Sequence, residues 1–213
     1  TLSDTLLWGK MMDGAQIRVD MGTDNTISNY LSLFDVNLSH LFVQMDGRAN
    51  SLSTTCQLSD LSMRGVEVDN ISLLASYTSD GLKAEFNTSN ILWNTTTMQL
   101  LGRLKGRVWC ERKVSIDDLL GVLYVEGLNY TFPQYGLSLY AKDSVSIPLR
   151  GGTLFFEHVP IRADGGQPLW IDGWVKLLGG TPSIQLVVDT RGVSLIDSHK
   201  GPNVLLYGKL LVD

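Results

Sequence analysis

Apolar and polar residues alternate with a period of two along most of this 213-residue chain, and that period constrains the fold more than any other feature. In residues 69–90, two alternating runs flank a turn at Ser79-Asp80-Gly81. Successive side chains of a strand point to opposite sides of a sheet, so such a pair has one apolar face. The sequence therefore predicts a β-hairpin whose apolar face includes Leu73, Tyr77, Leu82 and Phe86.

A second pair of alternating runs occupies residues 167–197 and turns at Gly179-Gly180-Thr181-Pro182. Trp170 and Trp174 fall on its polar side. Its apolar positions are Leu169, Ile171, Val175, Leu177, Ile184, Leu186 and Val188.

Similar runs recur along the chain, and glycine-containing turns separate them. Helix is expected only at residues 1–12 and 115–120. We therefore predict an all-β fold, an elongated, curved, trough-like sheet (a β-taco) built from repeated hairpins with little helix. The further strand candidates are about 38–45, 52–58, 98–110, 121–130, 135–148, 153–162 and 203–212, and the further turns are Asp46-Gly47, Gly151-Gly152 and Asp164-Gly165-Gly166.

A weak internal repeat is visible within this pattern. Segments that begin near Cys56 and near Gly152 share a strand, a bent polar step, a short strand, a turn and a long alternating strand. Such units bury their apolar faces by stacking on neighbours. We expect residues 1–213 to form one elongated region of a longer protein, with repeat units at 50–110 and 120–213.

Residue patterns for catalysis or metal binding are scarce. His40, His158 and His199 lie far apart in the sequence, and no short metal-ligand spacing or nucleophile motif accompanies them. With 17 Lys and Arg against 22 Asp and Glu, the net charge of −5 argues against nucleic acid as a partner. The sequence predicts no enzyme activity, no cofactor and no metal site.

Two features leave alternatives open. Cys56 and Cys110 lie in strand-like segments, where they could form a disulfide or serve as small buried hydrophobes. Five sequons fit chance in a chain rich in Asn, Ser and Thr, or a secreted glycoprotein. With the two tryptophans, they keep an extracellular β-rich binding or adhesion module as the alternative function; the sequon asparagines are Asn37, Asn70, Asn87, Asn94 and Asn129.

The C-terminal hundred residues resemble the C-terminal domain of TamB proteins, particularly those of Bacteroidetes-type bacteria. The matching phrases are "TLFFEHVPIRADGGQPLWIDGWV" (residues 153–175), "PSIQLVVDTRGVSLID" (182–197) and "NVLLYGKLLV" (203–212), in that order. Residues 57–86 resemble repeated strands of the wider AsmA-like group. Together these stretches cover about half of the chain.

The resemblance implies a periplasmic β-trough in a protein anchored to the inner membrane outside this segment. It also implies a role in outer-membrane biogenesis, in which the trough shields or conducts phospholipid acyl chains, or outer-membrane protein strands, between the two membranes. The implied partners are phospholipid or another apolar chain and a BamA- or TamA-like barrel protein. The apolar positions of both hairpins would then line a groove.

Overall fold

The computed structural model confirms an elongated, curved all-β fold. It describes residues 13–23, 25–111, 115–135, 137–141, 143–163, 168–179, 181–189, 193–194, 205–206 and 209–212. Fifteen of the described strands form one large antiparallel sheet, and two short strands pair separately. No helix among these residues is long and apolar enough to cross a bilayer.

The N-terminal half contains eight strands and one helix. They are β1 (Gln16–Met21), α1 (Thr26–Ser32), β2 (Val36–Asn37), β3 (His40–Arg48), β4 (Ser51–Met63), β5 (Val66–Thr78), β6 (Gly81–Thr88), β7 (Ile91–Asn94) and β8 (Gln99–Glu111).

The C-terminal half adds nine strands and a 3₁₀ turn (Pro133–Tyr135). The strands are β9 (Leu120–Phe132), β10 (Leu137–Tyr140), β11 (Val145–Arg150), β12 (Thr153–Ala163), β13 (Pro168–Lys176), β14 (Ser183–Asp189), β15 (Val193–Ser194), β16 (Leu205–Leu206) and β17 (Lys209–Val212).

Sequential neighbours pair almost throughout the sheet, as expected for a chain of hairpins. The main path runs β1-β3-β4-β5-β6-β8-β9-β10-β12-β13-β14-β17. Three described strands of the sheet lie off this path: β2 pairs with β4, β7 pairs with β5 and β8, and β11 lies between β9 and β12. The predicted hairpins at 69–90 and 167–197 are present as β5–β6 and β13–β14.

Turn chemistry explains most of the connections. Gly151 and Gly152 have φ of 55° and 74° in the β11–β12 turn, where the sequence predicts positive φ. The turn predicted at Asp46-Gly47 is wrong, because β3 stays paired with β4 as far as Arg48 and Ser51. Asn50, at φ 65°, makes that turn instead, since asparagine tolerates the left-handed region.

The helix predictions were less accurate than the strand predictions. The predicted helix at 115–120 is wrong: the Leu119 N–H donates to the Ile116 carbonyl in a single turn that does not continue. An unpredicted helix, α1, begins after Asn25, whose Oδ1 accepts the Ser28 N–H at 2.9 Å as an N-cap. The helix predicted at 1–12 lies outside the described residues.

The single strand predicted at 135–148 is two strands. β10 and β11 lie end to end between β9 and β12, and the Ala141 N–H just after β10 still donates to the Leu128 carbonyl of β9 at 3.0 Å. β11 pairs with β12 only at Leu149 and Arg150. Two prolines on these strands, Pro148 and Pro160, lack the N–H that a ladder needs, which accounts for the gap in pairing.

Both halves of the predicted repeat contain a long first strand with a bent polar step. Asp60 in β4 has φ 50° and His158 in β12 has φ 53°. Each lies inside a strand that leads into a long partner, β5 or β13. The division into units at 50–110 and 120–213 stays a prediction.

Gly173 is expected to be the least replaceable glycine of the β13–β14 hairpin. Its φ is 132°, and an added Cβ would lie 2.1 Å from the carbonyl oxygen of Gln185. Gly173→Ala should therefore destabilise the fold by about 3 kcal/mol or more. Gly127→Ala is the control: φ is 59° and nothing lies within 4 Å, so about 1 kcal/mol is expected. Urea unfolding followed by circular dichroism measures both, and equal losses would contradict the steric argument.

Candidate apolar binding face

Strand register assigns side chains to the two faces of the sheet, because residues directly opposite each other across antiparallel strands share a face. Leu73 on β5 pairs with Phe86 on β6, and Tyr77 pairs with Leu82. In the second hairpin, Ile171 pairs with Val188 and Val175 with Ile184, while Leu186 lies opposite Gly173. Each hairpin therefore has the apolar face that its alternation predicts.

The same register joins the two hairpins into one surface. Phe86 pairs with Gly106 on β8, Gly106 pairs with Leu123 on β9, and Leu123 pairs with Ile147 on β11, so all four positions share one face. On β11, Leu149 shares the face of Ile147 and pairs with Leu154, which pairs with Val175. We call this continuous surface the apolar face and the opposite surface the outer face.

Two bulges keep the apolar face in phase. The register of β8–β9 shifts near Gly127 (φ 59°), so that both Val125 and Leu128 lie on the apolar face. The register of β12–β13 shifts at Glu157 and His158, which keeps Val159 in phase. An extra residue reverses the alternation beyond it, so without these bulges the following apolar residues would turn outwards.

The apolar face carries no charge among the described strands. Each Asp, Glu, Lys, Arg or His that the register assigns to a face lies on the outer face, and Asp60, Asp69 and His158 lie at irregular steps of the pairing. The buried hydroxyl of Thr88, on the apolar face, is satisfied because it accepts the Leu104 N–H at 2.8 Å and donates to the Leu104 carbonyl. Among the described residues, the face is thus free of charged side chains from β1 to β14.

The outer face holds the charges and the polar contacts. The Lys105 ammonium lies 3.1 Å from the Glu126 carboxylate. His40 lies 2.8 Å from Asp20, and this hydrogen bond lowers the pKa of the Asp20 carboxyl below its ordinary value. Both partners are exposed, so the ion pair contributes little to stability.

The apolar face is more enclosed towards the C-terminal strands. Seven residues there form a buried cluster, in which Ile147 is 4% and Ala163 1% exposed. The side chains packed against the cluster come from strands of the same sheet, from β9 to β14, so the sheet curves around its own apolar face. The other five members are Ala141, Val145, Val159, Ile161 and Leu169.

In the N-terminal strands the same face stays open. Side chains such as Val43, Cys56, Leu73 and Phe86 are only half-buried. Ile17, at the far edge on β1, is 46% exposed. Apart from α1, the 3₁₀ turn and the short β15–β16 pair, every described element belongs to the one sheet. No second layer of described elements therefore encloses this part of the face, and its side chains stay half-buried.

Ten of the eleven predicted groove residues lie on the apolar face. The exception is Leu177, which follows the last residue of β13 and lies exposed in the turn to β14. Sequence reasoning missed most of the central part of the face, because Leu123, Ile147 and Val159 belong to strands that the bulges and the β10–β11 break put out of simple alternation.

The candidate disulfide is wrong, although both cysteines lie on the apolar face. Cys56 is on β4 and Cys110 is on β8, and both are thiols. Strands β5 and β6 lie between them. Neighbouring strands are about 4.8 Å apart, so the two Cα atoms are well beyond the roughly 7 Å that a disulfide can span.

Histidines and tryptophans on the outer face are engaged in local contacts. The His158 ring stacks on Trp170, with 3.9 Å between ring centroids, and the backbone N–H of His158 donates to Oδ1 of Asp172 at 2.7 Å. The Trp174 indole donates to Gln185 at 3.0 Å. Within the described part of the chain, no three His, Cys, Asp or Glu residues form a metal-binding group. His199 lies outside that part.

Comparisons of the chain with protein-family models, with curated proteins and with solved structures found no match.

Proposed function

We propose that the apolar face binds and shields hydrocarbon chains, in a TamB-like protein that supports outer-membrane biogenesis. The observation that carries the proposal is a single uncharged surface that runs from β1 to β14 and that no other described element covers over the N-terminal strands. A stable protein seldom leaves a large contiguous apolar surface exposed without a use for it. Phospholipid acyl chains are the ligand class that matches a long, mainly apolar surface without charged groups.

The energetics of such binding need no specific polar contacts. Each buried methylene group contributes about 0.8 kcal/mol, so an acyl chain gains affinity in proportion to the length that it lays on the face. Half-buried side chains such as Val43 and Leu73 gain further burial when a chain covers them. The role is therefore non-catalytic in this proposal, because the chemistry of the face is shielding.

The resemblance to TamB proteins supplies the cellular context of the proposal. The chain would lie in the periplasm, within a protein anchored to the inner membrane through another segment. A BamA- or TamA-like barrel protein would be its partner at the outer membrane. Outer-membrane protein strands are the second apolar client that this context allows.

Photocrosslinking at neighbouring residues tests the proposal, because adjacent strand residues differ only in the face that they occupy. Leu73 lies on the apolar face and Leu74, the same residue type and 53% exposed, lies on the outer face. Leu186 and Val187 form a second such pair. With a photoreactive residue at each position in cells, we expect phospholipid adducts from positions 73 and 186 and at least tenfold fewer from 74 and 187.

Equal labelling at neighbouring positions would contradict the proposal, since it would show nonspecific contact with membrane. Adducts confined to positions 74 and 187, with glycan or protein as the crosslinked species, would instead favour the extracellular binding module. Its ligand would have to lie on the outer face, where Trp170 and Trp174 are.

A further inference from the structure

Three connections meet at one end of the strands and expose aliphatic side chains there. The Gly151 N–H donates to the Leu119 carbonyl at 2.9 Å, which joins the β11–β12 turn to the segment before β9. The Leu177 and Leu178 N–H groups both donate to the Gly152 carbonyl, at 2.9 and 3.1 Å. The β13–β14 turn is thereby fixed against the other two.

The exposed side chains of this end form what we call the rim patch. Its residues are 41–49% exposed although they are large and apolar: Ile116, Leu120, Leu177, Leu178 and Ile184. The turns that carry them are in contact, because a Cβ at Gly179 would lie 3.3 Å from Cγ2 of Ile116. Residues from three chain segments therefore form the patch together.

Cations and aromatic rings border the rim patch on the outer face. Arg150 pairs with Leu120 on one side and with Thr153 on the other. Thr153 in turn pairs with Lys176, so Arg150 and Lys176 lie in the same row across the strands. Trp109 pairs with Leu120 from the other side. The next row inwards pairs Phe155 with Trp174, and the Arg150 guanidinium lies 5.9 Å from the centroid of the Phe155 ring.

This order of side chains matches the chemistry of a bilayer surface. Aliphatic groups in the turns suit the hydrocarbon boundary, whereas the aromatic rings and cations in the row of Leu120 and in the next row inwards suit the headgroup level. Asp117 and Asp118 lie in the same turn as Ile116 and offset the charges of Arg150 and Lys176. A zwitterionic lipid surface is therefore the occupant that the patch fits.

We propose that the rim patch docks the sheet onto the surface of a phospholipid bilayer. The patch is continuous with the apolar face, since Ile184 belongs to both and pairs with Val175. Docking would thus place the edge of the apolar face against lipid. The docking itself is independent of the proposed function, which enters only where acyl chains pass from the bilayer onto the face.

Vesicle flotation of the 213-residue chain tests docking, with vesicles of phosphatidylcholine as the probe. The double substitution Leu177→Ser and Leu178→Ser should lower the partition coefficient on the order of tenfold, because it removes two aliphatic groups from the contact. Ile116→Ser, in a different turn, should lower it severalfold, so the test survives if the double variant fails to fold. The matched control is Leu74→Ser with Leu101→Ser, which removes two leucines 53% and 45% exposed on the outer face and should change binding less than twofold.

Three results would overturn the inference. The first is an unmodified chain that does not float with the vesicles. The second is a control whose vesicle binding falls as much as that of the rim variants. The third is a self-associated chain that the rim substitutions convert to monomer, without any vesicle binding. Binding of a monomeric fluorescent fatty acid separates docking from the proposed function. The folded rim variant should keep that binding, and a chain that docks but never binds the fatty acid would refute the proposed function alone.

Discussion

Ile147→Asp should unfold the C-terminal part of the sheet, whereas Val43→Asp should leave the chain folded. Ile147 is 4% exposed in the buried cluster, where a carboxylate would have neither a partner nor a path to water. We expect the free energy of unfolding to fall by about 4 kcal/mol or more, which is at the upper end for single substitutions. Val43 occupies the same face on β3 but is only half-buried, so the carboxylate of an aspartate at this position can reach solvent. We expect the free energy of unfolding to fall by only about 1–2 kcal/mol.

Thermal melts followed by circular dichroism measure this contrast, with Ile147→Val as the conservative control at about 1 kcal/mol. A loss at Val43 as large as that at Ile147 would show that the N-terminal part of the apolar face is an ordinary covered core. A stable Ile147→Asp variant would show that the cluster is not closed. Either outcome would remove the distinction between an enclosed and an open part of the face.

Local alternation was enough to predict the fold class and two hairpins of the apolar face. In β5–β6 and β13–β14 the two strands alternate without interruption, so each apolar residue could be assigned to a face from its neighbours alone. Alternation is a local property, and it fails where one residue is inserted. The bulge at Gly127 shows this, since Val125 and Leu128 look out of phase in the sequence but share a face in the sheet.

Curvature could not be predicted in the same way. Ile147 is enclosed because β9 to β14 bend around one another, whereas Val43 on β3 stays open, and local alternation does not indicate this difference. The position of Leu177 illustrates the same limit. It continues the alternation of β13, but the backbone turns towards Gly152 one residue earlier and carries the side chain to the rim.

Leu186→Glu should separate folding from function. Leu186 is half-buried on the apolar face, opposite the side-chain-free Gly173, so a glutamate there has room to turn towards solvent in the unoccupied chain. The free energy of unfolding should fall by only about 0.5–3 kcal/mol. If the apolar face carries hydrocarbon as proposed, the same carboxylate interrupts the apolar path and must be desolvated whenever a hydrocarbon chain covers it. We therefore expect loss of outer-membrane integrity in cells that produce a folded variant.

The neighbouring substitution Gln185→Glu is the matched control, because it introduces the same charge one residue away on the outer face. It should alter neither thermal melting nor membrane integrity. If Leu186→Glu unfolds the chain outright and position 186 yields no lipid adduct, the side chain belongs to a closed core and the apolar face has no ligand at β14. If instead Leu186→Glu melts normally and cells keep an intact outer membrane, hydrocarbon does not pass this strand, because an uncompensated carboxylate in its path would have stopped it.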